Sequence, residues 1–457
     1  MDSMQQKRKE SPEQERSGEA AMYPVKVSEL AIAERNAESP VTSEHLMEHI
    51  CERENLVRAF QRVEKNKGSA GVDGMGTHEL RRYLNRHWLE IKEELLSGRY
   101  RPKPVLRVEI PKPDGGTRKL GVPTVLDRFI QQAILQQMQP HWDKGFSEHS
   151  YGFRPSRSQQ QAIAKAREYV EKGYEWVVDV DLEQFFDRVH HDRLMSTMAK
   201  QIRDKRVLKL LRAYLNAGVL EDGLVKPITE GTPQGGPLSP LLSNIVLDEL
   251  DKELERRGHR FVRYADDCNI YVKSKRAGER VMEGVKRFVT RKLRLKVNEK
   301  KSDVDKPAAR KFLGISIGKD GQKTVVYLSD KSMERIKSRV REMTAPCSGK
   351  SVESIISKLS TYLRGWYNYY CIVETPWVFS NLDKWIRHRI RAIIWRQWKT
   401  IDQRRKELLR LGVRKPLAEN TSKSSKGPWH QSSTQALNIA LSCKYLQNLG
   451  LFSLAKV

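Results

Sequence analysis

Carboxylates set inside strand-forming apolar runs constrain this chain more than any other feature. Trp176-Val177-Val178-Asp179-Val180-Asp181-Leu182 has the composition of a buried strand, with acids at its end. Arg263-Tyr264-Ala265-Asp266-Asp267-Cys268-Asn269-Ile270 places two adjacent acids between runs that alternate as strands, Phe261-Val262 before them and Ile270-Tyr271-Val272 after. Taken alone, adjacent acids between strands mean a hairpin turn. Two details point further. Tyr264-Ala265 stands where a turn favours Gly or Asn, and Asp181 leaves a separate apolar strand. Acids emerging from a core need a positive partner or a metal. Three carboxylates meeting at sheet edges can hold two Mg²⁺ ions roughly 3.5–4 Å apart, which suits in-line phosphoryl transfer.

Charge says what such a site would act on. The 457 residues include 84 Lys and Arg against 57 Asp and Glu, a net charge of +27. A polyanion, most simply nucleic acid, is the implied partner. The excess is uneven. Residues 1–40 carry a net −2, are rich in Glu, Ser and Gln, and read as disordered. Residues 331–457 carry +16 and hold six of the nine tryptophans. A lone basic run is ordinarily solvated surface. Basic residues interleaved with aromatics over a whole segment favour RNA or single-stranded DNA. No apolar run approaches the roughly 20 residues that span a bilayer, and the polar N-terminus lacks a signal-peptide core. Cysteines 51, 268, 347, 371 and 443 stand far apart with no CxxC pair, which argues against a disulfide scaffold or zinc ribbon and for a reducing cytoplasm.

Periodicity gives the outline. Residues 44–65, 77–97, 124–140 and 158–171 have helical spacing. Residues 105–110 alternate as a strand before the hairpin turn Pro113-Asp114-Gly115-Gly116. Ser239 is a candidate cap with Pro240 at the first helical position, and a hairpin follows at about 260–273. Helices resume from about 329, and Pro416 to Pro428 reads as a polar loop. The fold class is α+β, with a mixed central block and an all-helical C-terminal block.

Three motifs in order resemble a reverse transcriptase, specifically those encoded by bacterial group II introns. Tyr264-Ala265-Asp266-Asp267 is similar to the YxDD box, and Asp181-Leu182-Glu183-Gln184-Phe185-Phe186-Asp187 to the first catalytic motif. Gly231-Thr232-Pro233-Gln234-Gly235-Gly236-Pro237-Leu238-Ser239-Pro240 lies between them as in the family. The resemblance runs from about residue 45 to the C-terminus. It implies right-hand fingers (41–172) and palm (173–327), an α-helical thumb/X or maturase domain (328–414), and a basic linker with a nucleic-acid-binding tail (415–457).

The resemblance also assigns roles. Asp181, Asp266 and Asp267 would be catalytic and would ligate two Mg²⁺ ions, with Mn²⁺ as a substitute and the Leu182 carbonyl as a backbone ligand. Asp179 and Asp187 would be structural. Phe186 would gate the sugar, its flat ring clashing with a 2′-hydroxyl; core packing is the bland reading, since Phe185 beside it reads as buried. Lys112 and Arg118 would straddle the fingers turn and hold the incoming triphosphate. Gln234 would contact nucleotide or template. Arg154, in Ser150-Tyr151-Gly152-Phe153-Arg154-Pro155, would lie along the template. Lys301, rather than Lys300, would protonate pyrophosphate. Phe312-Leu313-Gly314 would grip the primer through Phe312 and Gly314.

Tyr362-Leu363-Arg364-Gly365-Trp366-Tyr367-Asn368-Tyr369-Tyr370 resembles the maturase region, where helical spacing turns Leu363, Trp366 and Tyr370 to a core. Over 382–399, Leu382, Trp385, Ile386, Ile390, Ile393 and Ile394 form an apolar face that Lys384, Arg387 and Arg391 leave. A basic amphipathic helix can bind membranes, but beside a polymerase it implies intron RNA. No His/Cys cluster marks an HNH nuclease, which resembles the compact class C intron proteins. The implied activity is copying of intron RNA into DNA, with maturase assistance to splicing. The partners are intron RNA, an RNA template, a DNA primer, target DNA and dNTPs, and not a membrane. The setting is the bacterial cytoplasm, at the nucleoid through DNA targets. The alternatives are a splicing-only RNA chaperone, against which the three intact acids argue, and a reverse transcriptase domesticated for repair or defence.

Overall fold

The computed structural model of the chain describes residues 40–455 apart from 112–116, 222–223, 227–229, 232–234 and 346–348. The expected disorder of residues 1–40 therefore lies almost wholly outside the described residues.

The centre is a four-stranded antiparallel sheet. Its strands are β3 (Trp176–Val180), β6 (Arg260–Tyr264), β7 (Asp267–Val272) and β8 (Asp303–Asp305), in the order β6-β7-β3-β8. Alternation along these strands divides the molecule into two cores. Val178, Val180, Phe261, Cys268 and Ile270 point into one, shared with the fingers helices and the long helix Ser239–Arg256. Val177, Val262 and Tyr271 point into the other, shared with Gln159–Glu171 and the C-terminal helices. A strand buried on both faces loses the strict apolar/polar alternation, as Trp176-Val177-Val178 does before Asp179.

A second, four-stranded sheet lies apart from the first. β1 (Val105–Pro111) and β2 (Thr117–Val122) form the antiparallel hairpin expected from the Pro-Asp-Gly-Gly turn; β4 (Val219–Glu221) pairs parallel with β1, and β5 (Leu224–Lys226) follows it. Helix starts follow local chemistry. Thr124 caps Val125–Asp143 by accepting from the Asp127 amide, and Ser158 makes a capping box with Gln161. Ser239 is not a cap: the helix begins at Ser239 itself, after Leu238, with Pro240 in its first turn.

A hairpin of β9 (Ile315–Asp320) and β10 (Lys323–Leu328) leads into the helices Asp330–Met343, Val352–Tyr370, Pro376–Gln397 and Ile401–Arg410. Leu363, Trp366 and Tyr370 are buried, as helical spacing predicts. The expected loop over 416–428 is largely helical instead. Lys415–Ser422 buries Ala418, Thr421 and Ser422, so small and hydroxyl side chains pack it where apolar periodicity is weak. Short helices Pro428–Gln431, Gln435–Ala440 and Cys443–Asn448 follow, and Leu437, Leu441 and Leu446 are fully buried in the same core. Residues 415–455 are thus folded against the thumb rather than strung out as a linker. Among the described residues no helix is long and apolar enough to cross a membrane.

Candidate active site

Sheet register brings the acids together. β3 pairs antiparallel with β7, with Val180 opposite Cys268. One further step in that register sets Asp181 against Asp267. Asp266 lies in the two-residue turn joining β6 to β7, which is closed by the Tyr264–Asp267 pair. Adjacent acids therefore do mark a turn here, and the turn is part of the site. Ala265 takes φ +58°, a left-handed conformation that alanine rarely adopts.

The carboxylates feel one another. Burial first, and then the Asp181 charge, raises the Asp266 carboxyl above its ordinary range, while Arg118 and Arg263 oppose the rise. Asp267 is open to the cleft yet walled by protein. That desolvation, and then Asp266, Asp179 and Asp181, push it up to about 7. Among the described residues no three Asp, Glu, His or Cys groups converge as a formed metal centre. The donor set is nonetheless all oxygen, which suits a hard divalent cation. The Leu182 carbonyl fits it too. Leu182 bridges Val297 through the flanking Glu183 N–H and Asp181 carbonyl, so neither flanking hydrogen bond uses its own carbonyl.

A loop from Asn298 to Ser302 holds Asp181 from behind. The Asn298 amide donates to the Asp181 carbonyl (2.8 Å), and the Asp181 amide donates to Ser302 Oγ (3.0 Å). The same loop brings Lys301 Nζ to 3.8 Å from the Asp181 carboxylate. Asp179, the acid within β3, is paired with an arginine. Arg310 grips one of its oxygens through Nε (3.1 Å) and Nη2 (2.6 Å). Arg118, exposed on β2 opposite Ile110, is near enough for its charge to reach Asp266. Lys112 and Gln234 lie outside the described residues.

Phe186 is half-buried on the short turn Phe185–Asp187, its ring 5.3 Å from that of buried Phe185. Gly231 fixes the backbone there. A Cβ on Gly231 would sit 2.8 Å from the Phe186 carbonyl and 2.9 Å from Asp187 Cα.

Three expectations need correction. Arg154 does not lie along a template. Its side chain is buried, with Nε donating to Asp143, Nη1 to the Ser147 and Ser150 carbonyls and Nη2 to the Asp143 carbonyl. Phe312 is a core residue, and the surface of its turn falls to half-exposed Leu313, with Gly314 at φ +80°. A Cβ on Gly314 would meet the Tyr370 hydroxyl at 2.6 Å, so this turn belongs to the thumb packing. On Pro376–Gln397, Lys384 is exposed, but Arg387 is half-buried and 3.9 Å from Asp383. Arg391 is 8% exposed, and its Nε donates to the Leu441 carbonyl (2.9 Å). All three still line one groove with His388, Ser432 and Asn438. The residue the sequence reading passed over is Arg263. A cation inside the apolar run Phe261–Tyr264 is a signal, because it must find partners in the core.

The sheet thus presents acids at the turn of one hairpin and at the end of a neighbouring strand, with Arg118 of the β1–β2 hairpin within reach of Asp266 by its charge. Residues 110–317 match the family described as reverse transcriptase (RNA-dependent DNA polymerase), and residues 333–412 match the group II intron, maturase-specific domain. The chain is 40% identical over 220 residues to protein YkfC of Escherichia coli (strain K12), covering 47% of this chain and 58% of that protein. It is 29% identical over 369 residues to the group II intron-encoded protein LtrA of Lactococcus lactis subsp. cremoris, covering 66% and 61%. A solved partial Cas6-RT-Cas1–Cas2 complex matches with 26% identity and a TM-score of 0.36, over 54% of this chain and 42% of that one. The chain is thus similar to group II intron-encoded reverse transcriptases and maturases over both matched segments. It spans about three-fifths of the length of the curated relatives named here. Reverse transcriptase domains generally use divalent metal ions.

Proposed function

We propose that the protein is an RNA-directed DNA polymerase that copies group II intron RNA into DNA, and a maturase whose C-terminal helices bind that RNA. The observation that carries the reading is the register that sets Asp181 against Asp267 beside the Asp266 turn. Two Mg²⁺ ions held by Asp181, Asp266, Asp267 and the Leu182 carbonyl would polarise a primer 3′-hydroxyl and offset the charge of the leaving pyrophosphate, with Mn²⁺ as a substitute. Arg118 would hold the triphosphate as a fork from the fingers. Lys301, within 4 Å of Asp181, would hold a proton for the pyrophosphate. Phe186, its backbone pinned by Gly231, would present a rigid edge to the sugar. The exposed Lys384 and the groove around it would contact intron RNA, and target DNA would follow at the same basic surface.

The test is primer extension on an RNA template. Asp266→Ala should lower the rate by at least about a hundredfold, since it removes charge stabilisation at the reacting atoms. RNA affinity should stay near native, because dispersed Lys and Arg carry it. Near-native extension by Asp266→Ala would end the assignment of the site.

A further inference from the structure

We propose that a buried clamp centred on Arg263 positions the Asp266–Asp267 turn, and that Ser150, Gly152, Asn244 and Asp251 are its other parts. This rests on the polymerase reading above and adds positioning residues to it.

Arg263 stands on β6 and is fully buried, as is Asp251. Each of its five N–H donors has a partner. Nε donates to Asp251 Oδ1 (2.7 Å) and Nη2 to Oδ2 (2.5 Å), a two-point pairing. The second Nη2 proton goes to Ser150 Oγ (2.8 Å). Nη1 donates to Asn244 Oδ1 (3.0 Å) and to the Ala265 carbonyl (2.8 Å). That last bond lands on the residue before Asp266, the one held at φ +58°. A buried guanidinium fixed at both ends by other groups thus reaches the turn with one arm.

The other side of the turn is held by backbone. The Tyr151 amide donates to the Arg263 carbonyl, and the Arg263 amide to the His149 carbonyl, each at 2.9 Å. This lays residues 149–152 along β6. Gly152 then passes so close that a Cβ would sit 2.2 Å from the Ala265 nitrogen and 3.0 Å from the Tyr264 carbonyl carbon. Asn244 closes the loop, its Nδ2 donating to the Gly152 carbonyl (2.9 Å) while its Oδ1 accepts from Arg263. Asn244 and Asp251 share the helix Ser239–Arg256, so helix, edge strand and the 149–152 segment all meet at Ala265. For stability alone, a buried ion pair is often replaceable by apolar packing of equal volume. An ion pair with an arm on the left-handed residue of the turn has a positional use instead. It also gives Ser150-Tyr151-Gly152 a role in place of the template contact that buried Arg154 does not supply.

Three variants test this: Gly152→Ala, Ser150→Ala and Arg263→Lys. Each is measured for dNTP incorporation on a poly(rA)–oligo(dT) duplex, for amide hydrogen exchange over residues 264–268, and for thermal midpoint. Gly152→Ala should lower kcat by about a hundredfold while KM for dNTP changes less than about threefold, as expected for reacting groups shifted by about 1 Å. Exchange at the turn should quicken by more than any fall in the midpoint accounts for. Ser150→Ala removes one partner and should cost kcat about fivefold, with a smaller rise in exchange. Arg263→Lys keeps the charge but not the fork, and should fall at least as far as Gly152→Ala. Native kcat and native exchange in folded Gly152→Ala overturn the proposal. Should that variant not fold, the same result in Ser150→Ala overturns it. Losses that vanish once rates are corrected for the folded fraction overturn it too. Wild-type protein that extends no primer would instead defeat the polymerase reading, and exchange at the turn would still report on the clamp.

Discussion

Reversing charge at two positions on Pro376–Gln397 should separate RNA contact from internal support. Lys384 is exposed in the groove, whereas Arg391 is buried and donates to the Leu441 carbonyl. For Lys384→Glu, stability should change by no more than about 0.5 kcal/mol. If Lys384 meets one phosphate, the log–log dependence of RNA affinity on salt should flatten by roughly 0.7–0.9. Arg391→Glu is a different perturbation. It removes a hydrogen bond from a charged donor, about 1.5–3 kcal/mol. It also aims a carboxylate at a carbonyl oxygen inside the protein, and breaking a buried charged contact in this way costs about 3–5 kcal/mol in all. Leu441 directly follows the helix Gln435–Ala440, so the loss should appear as release of residues 435–448 from the thumb. Hydrogen exchange there should quicken by roughly two to three orders of magnitude. The assays are exchange by mass spectrometry and filter binding of intron RNA across a salt series. Native exchange over 435–448 in Arg391→Glu, together with a slope flattened as in Lys384→Glu, would make Arg391 an RNA contact and refute the reasoning from burial.

Phe186→Ala should raise the ratio of ribonucleotide to deoxyribonucleotide incorporation by opening space beside C2′; single-nucleotide kinetics on one template measure it, and an unchanged ratio places sugar selection elsewhere. Asp267 titrates near 7 in the folded protein but near 3.9 in an unfolded chain. The folded state therefore binds more protons between those values, so this carboxyl's contribution to stability is full below about pH 4 and is lost as pH rises through 7. Asp267→Asn should raise the thermal midpoint in EDTA at pH 8, with the gain shrinking toward pH 4. A gain that grows on acidification would reverse the sign and the argument.

The candidate acids are legible because each breaks a pattern. Asp181 and Asp267 interrupt apolar alternation, and the alternation that marks them also fixes which face they share. Lys301, preferred to Lys300 on a motif, lies 3.8 Å from the Asp181 carboxylate. The 416–428 segment reads as a loop because polar composition is a local signal, and the packing of small side chains such as Ala418 and Ser422 overrides it. Phe312 shows the same limit: a motif names a turn, but only the surrounding thumb decides which of its side chains is buried.

Arginine is where reading a basic sequence fails most, and the reason is physical. A guanidinium has five donors and a long apolar stem, so it can satisfy carbonyls from within a core as readily as phosphates from a surface. Arg154 serves three backbone carbonyls and Asp143, Arg391 serves the Leu441 carbonyl, and Arg263 serves Asp251 and the catalytic turn. Each of these donors is turned to a partner inside the protein, though each residue adds to the +27 that first pointed to a polyanion. Lysine rarely takes such roles, because a compact, strongly hydrated ammonium cannot fork. In this fold, then, exposed lysines such as Lys384 are the fairer markers of nucleic-acid contact. An arginine inside an apolar strand, as at position 263, marks a place where the backbone is being held.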